Sequence, residues 1–169
     1  MILEKIAFLD RDGTLIEEPL KGQYPGEVDH QIDRIEKLRI LPGVIEGLQM
    51  LIRYRFTLVM VTNQDHLGLP IFPRASFELP HQEMLGVFRR NGVRFEQIFV
   101  CPHGLEEGCD CRKPNLGMVQ GFLAQRSIDA VKSFMYGDRV DDQKFAENLG
   151  LRFFKAVTNN PFSLKETDL

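Results

Sequence analysis

Residues 5–14 read Lys5-Ile-Ala-Phe-Leu-Asp-Arg-Asp-Gly-Thr14. The apolar run after Lys5 predicts a buried strand that stops at Asp10. Beyond it, Asp10 and Asp12 stand two residues apart, and Gly13 permits the close approach or positive φ that such a loop needs. Because Asp and Gly also form ordinary turns, a plain turn is the alternative interpretation. The ends of the other predicted strands decide between the two.

The rest of the chain alternates short apolar runs with amphipathic ones, a pattern typical of β/α units around a parallel sheet. Further strands are predicted near 56–61, 95–100, 132–136 and 151–157. Helices are predicted from Pro42-Gly43 to about Tyr54 and near 81–90, 116–125 and 140–149. The tail from about residue 159 has turn residues and no periodicity. We therefore expect one α/β domain over residues 1–169 with an irregular tail.

Polar side chains follow four of these strands, at Asp10/Asp12, Thr62/Asn63, Cys101/His103 and Asp138. The carboxyl ends of parallel strands line one crevice, where ligands bind. There, one carboxylate can attack phosphorus, and a second can protonate the leaving oxygen and later activate water. The alternatives are local backbone hydrogen bonds for Thr62 and Asn63, and a helix-dipole role for the acids at 138–142.

All three cysteines of the chain lie within 101–111 and form a Cys101-x-His103…Cys109-x-Cys111 set. Residues at i and i+2 of an extended segment face the same side, so each pair can bind one ion. Four nitrogen and sulfur ligands predict a closed structural Zn²⁺ site in a short loop. Three reduced thiols beside an unrelated histidine are the alternative. The loop ends at Arg112 and Lys113, so bound zinc would hold these two cations in place.

Composition narrows the class of protein. The chain is 43% hydrophobic and 27% charged with a net charge of −3, which suits a globular protein and favours neither nucleic acid nor an anionic membrane as partner. No apolar run approaches the roughly 20 residues of a membrane span. Glu4 and Lys5 interrupt the place of a signal-peptide core, so we expect a cytoplasmic protein.

The ordered motifs resemble those of the haloacid dehalogenase superfamily of aspartyl-phosphate phosphatases. This resemblance implies a three-layer, Rossmann-like fold. It makes Asp10 the nucleophile and a Mg²⁺ ligand, and Asp12 the general acid and base with its main-chain carbonyl on the Mg²⁺. Thr62 and Lys113 would hold the phosphoryl group, and Asp138 would complete the Mg²⁺ site. The intervals from Thr14 to Thr62 and from Gln64 to Lys113 each hold a core helix, so no cap domain is expected.

The cysteine loop and several segments, including the one around Asn63 and Pro80-His81, resemble the branch that contains histidinol-phosphate phosphatase and heptose-bisphosphate phosphatase. The short loop favours the first. The resemblance implies a phosphoric monoester hydrolase acting on L-histidinol phosphate in histidine biosynthesis, with heptose 1,7-bisphosphate as the alternative substrate. A zinc-stapled binding module without activity is the third possibility.

Substrate contacts are expected from Asn63, Arg112 and a rim acid, for which Glu18 is the candidate and Glu17 the alternative. The segment 21–30 is longer than is usual in this branch and could shape the mouth of the pocket. The sequence assigns no oligomeric state, and the resemblance permits either a separate enzyme or part of a bifunctional protein.

Overall fold

The computed structural model describes residues 3–24 and 30–169. Its centre is a five-stranded, wholly parallel sheet in the order β3-β2-β1-β4-β5. The strands are β1 (Lys5–Leu9), β2 (Phe56–Asn63), β3 (Gln97–Cys101), β4 (Phe134–Gly137) and β5 (Arg152–Lys155). The helices are α1 (Val44–Arg53), α2 (Arg74–Arg90), α3 (Gly117–Leu123) and α4 (Val140–Leu149). The parallel α/β fold expected from the sequence is confirmed.

Helices cover both faces of the sheet, so the molecule has three layers. Along β1, Ala7 and Leu9 contribute to one apolar core, and Ile6 and Phe8 contribute to the other. The first core also contains side chains of α1 and α2, and the second contains side chains of α3 and α4. Because β1 is buried on both faces, it reads as a continuous apolar run rather than an alternating one.

The boundaries of several elements differ from the prediction. Helix α2 begins at Arg74, seven residues before His81, and it contains Pro80. Proline removes a hydrogen bond inside a helix. Here Phe77 and Pro80 are both buried, and this packing offsets the cost. Pro42 was expected in the first turn of α1, but that helix starts at Val44, after Gly43 takes a left-handed conformation with φ 77°.

No cap domain covers the carboxyl ends of the strands within residues 3–24 and 30–169. Between β1 and α1, the described residues contain one short 3-10 helix, Ile35–Lys37, and only residues 64–73 connect β2 to α2. The predicted long segment 21–30 lies partly outside the described residues, because 25–29 are not among them. No described helix has the length and apolar character needed to cross a bilayer.

The tail packs on the first core although it has little regular structure. The Phe162 amide donates to the Pro42 carbonyl over 2.9 Å, and the Phe162 ring lies 4.9 Å from that of Tyr136. A β carbon at Gly47 of α1 would lie 2.3 Å from atoms of the same phenylalanine ring. The glycine therefore makes the space that Phe162 occupies. The assignment of residues 1–169 to one phosphatase domain stays a prediction.

Candidate active site

The carboxyl ends of β1, β2 and β4 open into a cavity of about 330 Å³. This edge of the sheet gathers residues that are far apart in the sequence, as the strand-end pattern predicted. Of the predicted catalytic and substrate-binding residues, those lining the cavity are Asp10, Asp12, Glu18, Thr62, Asn63, Arg112 and Lys113. Asp138 does not line the cavity, but its carboxylate lies within 4.8 Å of the Asp10 carboxylate.

Lys113 is the buried cation of the site. Its ammonium donates to Asp10 Oδ1 and to Asp142 Oδ1, each over 2.6 Å, and its side chain is only 3% exposed. Burial lowers the pKa of Lys113, but the two carboxylates outweigh this effect and raise it above its ordinary value. Lys113 is therefore charged at neutral pH and sits beside the carboxylate expected to act as nucleophile.

Asp142 is one of the acids at 138–142 for which a helix-dipole role was the alternative to binding Mg²⁺, and it is not among the predicted catalytic residues. It lies in the first turn of α4, where its Oδ2 accepts a hydrogen bond from the Arg139 amide over 3.0 Å. Burial and the Asp10 carboxylate raise its pKa to about 7, although Lys113 opposes the shift. The feature of the sequence that points to Asp142 is the spacing Gly137-Asp138-x-x-x-Asp142, in which this acid stands four residues after the predicted Mg²⁺ ligand Asp138.

Asp138 is held by two hydroxyl groups. Thr158 donates to its Oδ2 over 2.7 Å, and the hydroxyl of Thr14 lies 3.3 Å from its Oδ1 and 3.2 Å from Asp10 Oδ2. Gly13 has φ 78°, and a β carbon there would lie 2.6 Å from Asp138 Oδ2. The loop after β1 can approach Asp138 because position 13 is glycine. Thr158 follows the last strand, in a stretch where sequence patterns carried no functional signal.

The carboxylates of Asp10, Asp138 and Asp142 form one group of possible metal ligands, with oxygen atoms all within 4.8 Å of one another. Burial, and after it the Asp10 charge, raises the pKa of Asp138, so the group is electrostatically unfavourable without a cation. A hard divalent cation with oxygen ligands, such as Mg²⁺, fits this donor set. The single positive charge of Lys113 neutralises only part of the negative charge of these three carboxylates.

Asp12 lies beside this group and is held from two sides. Arg11 Nη1 donates to Asp12 Oδ1 over 2.9 Å, and Gln64 Nε2 donates to Asp12 Oδ2 over 2.5 Å. Burial raises the pKa of Asp12, whereas the Arg11 charge lowers it. A carboxyl whose pKa is raised can hold a proton closer to neutral pH, which suits a general acid.

Thr62 and Asn63 end β2 on the floor of the cavity. Thr62 is buried, and its hydroxyl accepts a hydrogen bond from Gln64 Nε2 over 2.9 Å. Asn63 makes two hydrogen bonds with the main chain of Lys113, accepting from its amide at 3.0 Å and donating to its carbonyl at 3.2 Å. In this structure, the Asn63 side chain therefore positions Lys113.

The rim of the cavity carries paired charges. Glu18 is 8% exposed, and its carboxylate accepts from Arg139 Nη2 at 2.5 and 2.6 Å. Burial is the largest influence on Glu18 and raises its pKa to about 7, against the effect of the Arg139 cation. Arg112 makes an ion pair with Asp65 and also donates to the His103 carbonyl over 3.1 Å. Arg139 was not predicted, because nothing in the sequence indicated its approach to Glu18.

The structure brings the four predicted zinc ligands together. Cys101, Cys109 and Cys111 have sulfur atoms 2.9–3.6 Å apart, and His103 Nδ1 lies 3.1 Å from the Cys111 sulfur. Zn–S bonds of about 2.3 Å would separate sulfur atoms by about 3.8 Å in a tetrahedron. Cys109 Sγ lies 3.6 and 3.4 Å from the other two sulfur atoms, near this value, whereas Cys101 and Cys111 are closer, at 2.9 Å. This Cys₃His cluster therefore fits a four-coordinate metal ion such as Zn²⁺.

The family model for polynucleotide kinase 3 phosphatase matches residues 5–158. The chain belongs to this phosphatase family. The solved structure of a HAD-superfamily hydrolase from Ehrlichia chaffeensis has a similar fold, with a TM-score of 0.60 and 15% identity. The match covers 99% of this chain and 95% of that one. At this identity the match shows a shared fold, and it is the fold that the resemblance to haloacid dehalogenase phosphatases implied.

Two similar proteins are more informative about this member of the polynucleotide kinase 3 phosphatase family. The histidine biosynthesis bifunctional protein HisB of Campylobacter jejuni is 45% identical over 152 residues, which is 90% of this chain and 41% of that protein. The chain therefore spans about two fifths of the length of the bifunctional relative. The D,D-heptose 1,7-bisphosphate phosphatase of B. bronchiseptica, solved with magnesium and phosphate, has a TM-score of 0.77 and 28% identity. The match covers 92% of this chain and 82% of that one.

Proposed function

We propose that the chain is a Mg²⁺-dependent phosphatase that hydrolyses L-histidinol phosphate through an aspartyl-phosphate on Asp10. The observation that carries the proposal is the pairing of Asp10 with the buried Lys113 ammonium at the bottom of an open cavity. Similarity to the HisB proteins supports the choice of substrate. A cytoplasmic location, predicted from the sequence, is part of the same proposal.

The reaction has two displacements at phosphorus. In the first, an Asp10 oxygen bonds to phosphorus, the ester P–O bond breaks, and Asp12 gives its proton to the departing alkoxide. In the second, Asp12 takes a proton from water as the water oxygen attacks phosphorus, and phosphate leaves Asp10. Lys113 and the Thr62 hydroxyl stabilise the phosphoryl oxygens.

Two metal ions complete the proposal. Mg²⁺ bound by the carboxylates of Asp10 and Asp138 and by the Asp12 carbonyl would offset repulsion between nucleophile and phosphate. Zn²⁺ bound by Cys101, His103 and the other two cysteines would hold the loop whose end carries Arg112 and Lys113. Arg112 supports this second role, since it donates to the carbonyl of His103.

Charges at the rim offer a partner to each of the two substrates. Histidinol phosphate carries an ammonium, for which Glu18 has a buried carboxylate, and heptose 1,7-bisphosphate carries a second phosphate, which Arg112 or Arg139 could bind. Arg112 is paired with Asp65, and Glu18 and Arg139 are paired with each other, so the rim charges do not separate the two substrates. Similarity to the HisB proteins is what favours histidinol phosphate. A polynucleotide is disfavoured, because among the described residues six acids and three Lys or Arg line the cavity.

The test is a substrate panel with Mg²⁺, comprising histidinol phosphate, heptose 1,7-bisphosphate, a 3′-phosphorylated oligonucleotide and p-nitrophenyl phosphate. We expect the highest kcat/KM for histidinol phosphate. Glu18→Gln should raise KM for this substrate by about tenfold, as for loss of one charged hydrogen bond, and leave p-nitrophenyl phosphate unaffected. Glu17→Gln is the matched control, because Glu17 is not among the residues that line this cavity. A larger kcat/KM for the heptose compound would overturn the assignment.

A further inference from the structure

Arg11, between the two predicted catalytic aspartates, is completely buried. Its Nη1 donates to both carboxylate oxygens of Asp12, at 2.9 and 3.2 Å. Its Nε and Nη2 are also buried, and neither has a hydrogen-bond partner within residues 3–24 and 30–169. A buried guanidinium with two unpaired nitrogens costs folding free energy, so stability alone does not explain an arginine here.

The guanidinium rests on an aromatic side chain of α2. The Arg11 Cζ atom lies 4.9 Å from the centre of the Phe77 ring, within the range of a cation–π interaction. The His81 ring stacks on Phe77 with centroids 4.8 Å apart and planes 20° apart. Burial, followed by the Arg11 charge, lowers the pKa of His81 to about 4, so at neutral pH its imidazole is uncharged. Phe77 and His81 thus place a neutral aromatic stack against the cation.

We propose that Arg11 is a positioning residue, and that the Phe77–His81 stack holds it so that it orients the Asp12 carboxyl toward the leaving oxygen of the substrate. This inference rests on the proposed function, because it assumes that Asp12 is the proton donor. It also explains the Pro80-His81 segment, which the catalytic residues do not use. Helix α2 takes part in catalysis through Arg11, although none of the residues lining the cavity belongs to this helix.

The positioning role predicts a dependence on the leaving group. When the ester P–O bond of an alkyl phosphate breaks, the oxygen needs the Asp12 proton at that moment. p-Nitrophenolate leaves as a stable anion and needs no proton. A misplaced Asp12 should therefore slow formation of the aspartyl-phosphate from an alkyl phosphate and spare its formation from p-nitrophenyl phosphate.

The experiment measures alcohol release in a single turnover, with Mg²⁺ and excess protein, for histidinol phosphate and p-nitrophenyl phosphate. Arg11→Lys keeps the positive charge and removes the planar guanidinium that contacts both carboxylate oxygens of Asp12. We expect a fall of roughly 30- to 100-fold with histidinol phosphate, of the size that about 1 Å of misplacement costs. With p-nitrophenyl phosphate, we expect a change below about threefold, since general-acid catalysis is not used.

Phe77→Leu removes the aromatic ring that supports the guanidinium and keeps arginine at position 11, so the proposal is testable even if Arg11→Lys does not fold. Phe77→Leu should likewise slow alcohol release from histidinol phosphate and spare release from p-nitrophenyl phosphate. Phe72→Leu is the matched control, because Phe72 is buried in the same small cluster, packs edge-on against Phe77 and has no contact with Arg11 among those observed. It should lose similar thermal stability and keep both rates.

Equal losses on both substrates in Arg11→Lys, or the same pattern in Phe72→Leu and Phe77→Leu, would overturn the positioning role and leave the proposed function standing. A wild-type protein that hydrolyses neither ester would overturn both.

Discussion

Replacing Lys113 with methionine tests the electrostatic design of the site through protein stability. The change keeps an unbranched side chain that is one heavy atom shorter, and it removes the cation that Asp10 and Asp142 share, each at 2.6 Å. Those carboxylates have side-chain exposures of only 9% and 1%, so water from the cavity compensates poorly for the lost ammonium. Removing one partner of a buried ion pair costs about 3–5 kcal/mol of unfolding free energy.

The pH dependence of this loss follows from Asp142. Its pKa in the folded protein, about 7, lies above the ordinary value of 3.8, so the folded state binds its proton more tightly than the unfolded state does. The cost of burying its charge is therefore absent below about pH 4 and grows as the pH rises through 7. Without Lys113, the largest influence that opposes the raised pKa of Asp142 is lost, and only the hydrogen bond from the Arg139 amide still opposes it, so the destabilisation should be smaller at pH 5 than at pH 8.

Urea unfolding followed by far-UV circular dichroism, in buffer without added divalent cations, measures the effect. With an m value of about 2 kcal/mol/M, the midpoint of Lys113→Met should fall by roughly 1.5–2.5 M at pH 8. The double variant Lys113→Met/Asp142→Asn should recover part of the loss, because a neutral amide replaces one of the two carboxylates that lost the ammonium. A single variant within about 1 kcal/mol of wild type, or a double variant no more stable than the single, would refute the reasoning.

Three further predictions concern catalysis and the metal ions. Asp10→Asn should fold and nearly abolish turnover, and beryllium fluoride, a phosphoryl mimic, should bind only the unmutated protein; wild-type activity would rule out the covalent mechanism. EDTA should remove activity, added Mg²⁺ should restore it, and zinc should stay bound; elemental analysis below about half an equivalent would count against a structural zinc site. Cys109→Ser should lower kcat/KM up to about 10²-fold by loosening Lys113 while circular dichroism stays normal; a variant that loses zinc and keeps full activity would contradict this link.

The fold and most of the site could be predicted because their signals are local. Each strand is a short apolar run, and a parallel sheet places the residues after Leu9, Thr62 and Tyr136 at one edge whatever the packing around them. The zinc ligands could be predicted for the same reason, since Cys101 to Cys111 lie in one short loop.

The remaining site features depend on tertiary contacts that no local pattern encodes. Arg139 reaches Glu18 across 121 residues of sequence, and Thr158 reaches Asp138 from a tail without periodicity. Local patterns place a helix boundary at Pro80, so the early start of α2 could not be predicted from them. Buried side chains before and after it, Phe77 and Met84, stabilise the helix on both sides of the proline. Asp142 could have been found from its spacing, but only its contact with Lys113 reveals what it does.

The contact between Gly47 and Phe162 has an evolutionary consequence. The Phe162 ring occupies the volume of a β carbon at position 47, so substitutions at these two positions depend on each other although most of the chain separates them. A mutation to alanine at 47 is tolerated only after the residue at 162 has become smaller, whereas the reverse order leaves a cavity that costs less than a clash. Divergence should therefore proceed first in the tail and then in helix α1. Alignments of related chains should show glycine at 47 wherever an aromatic residue stands at 162.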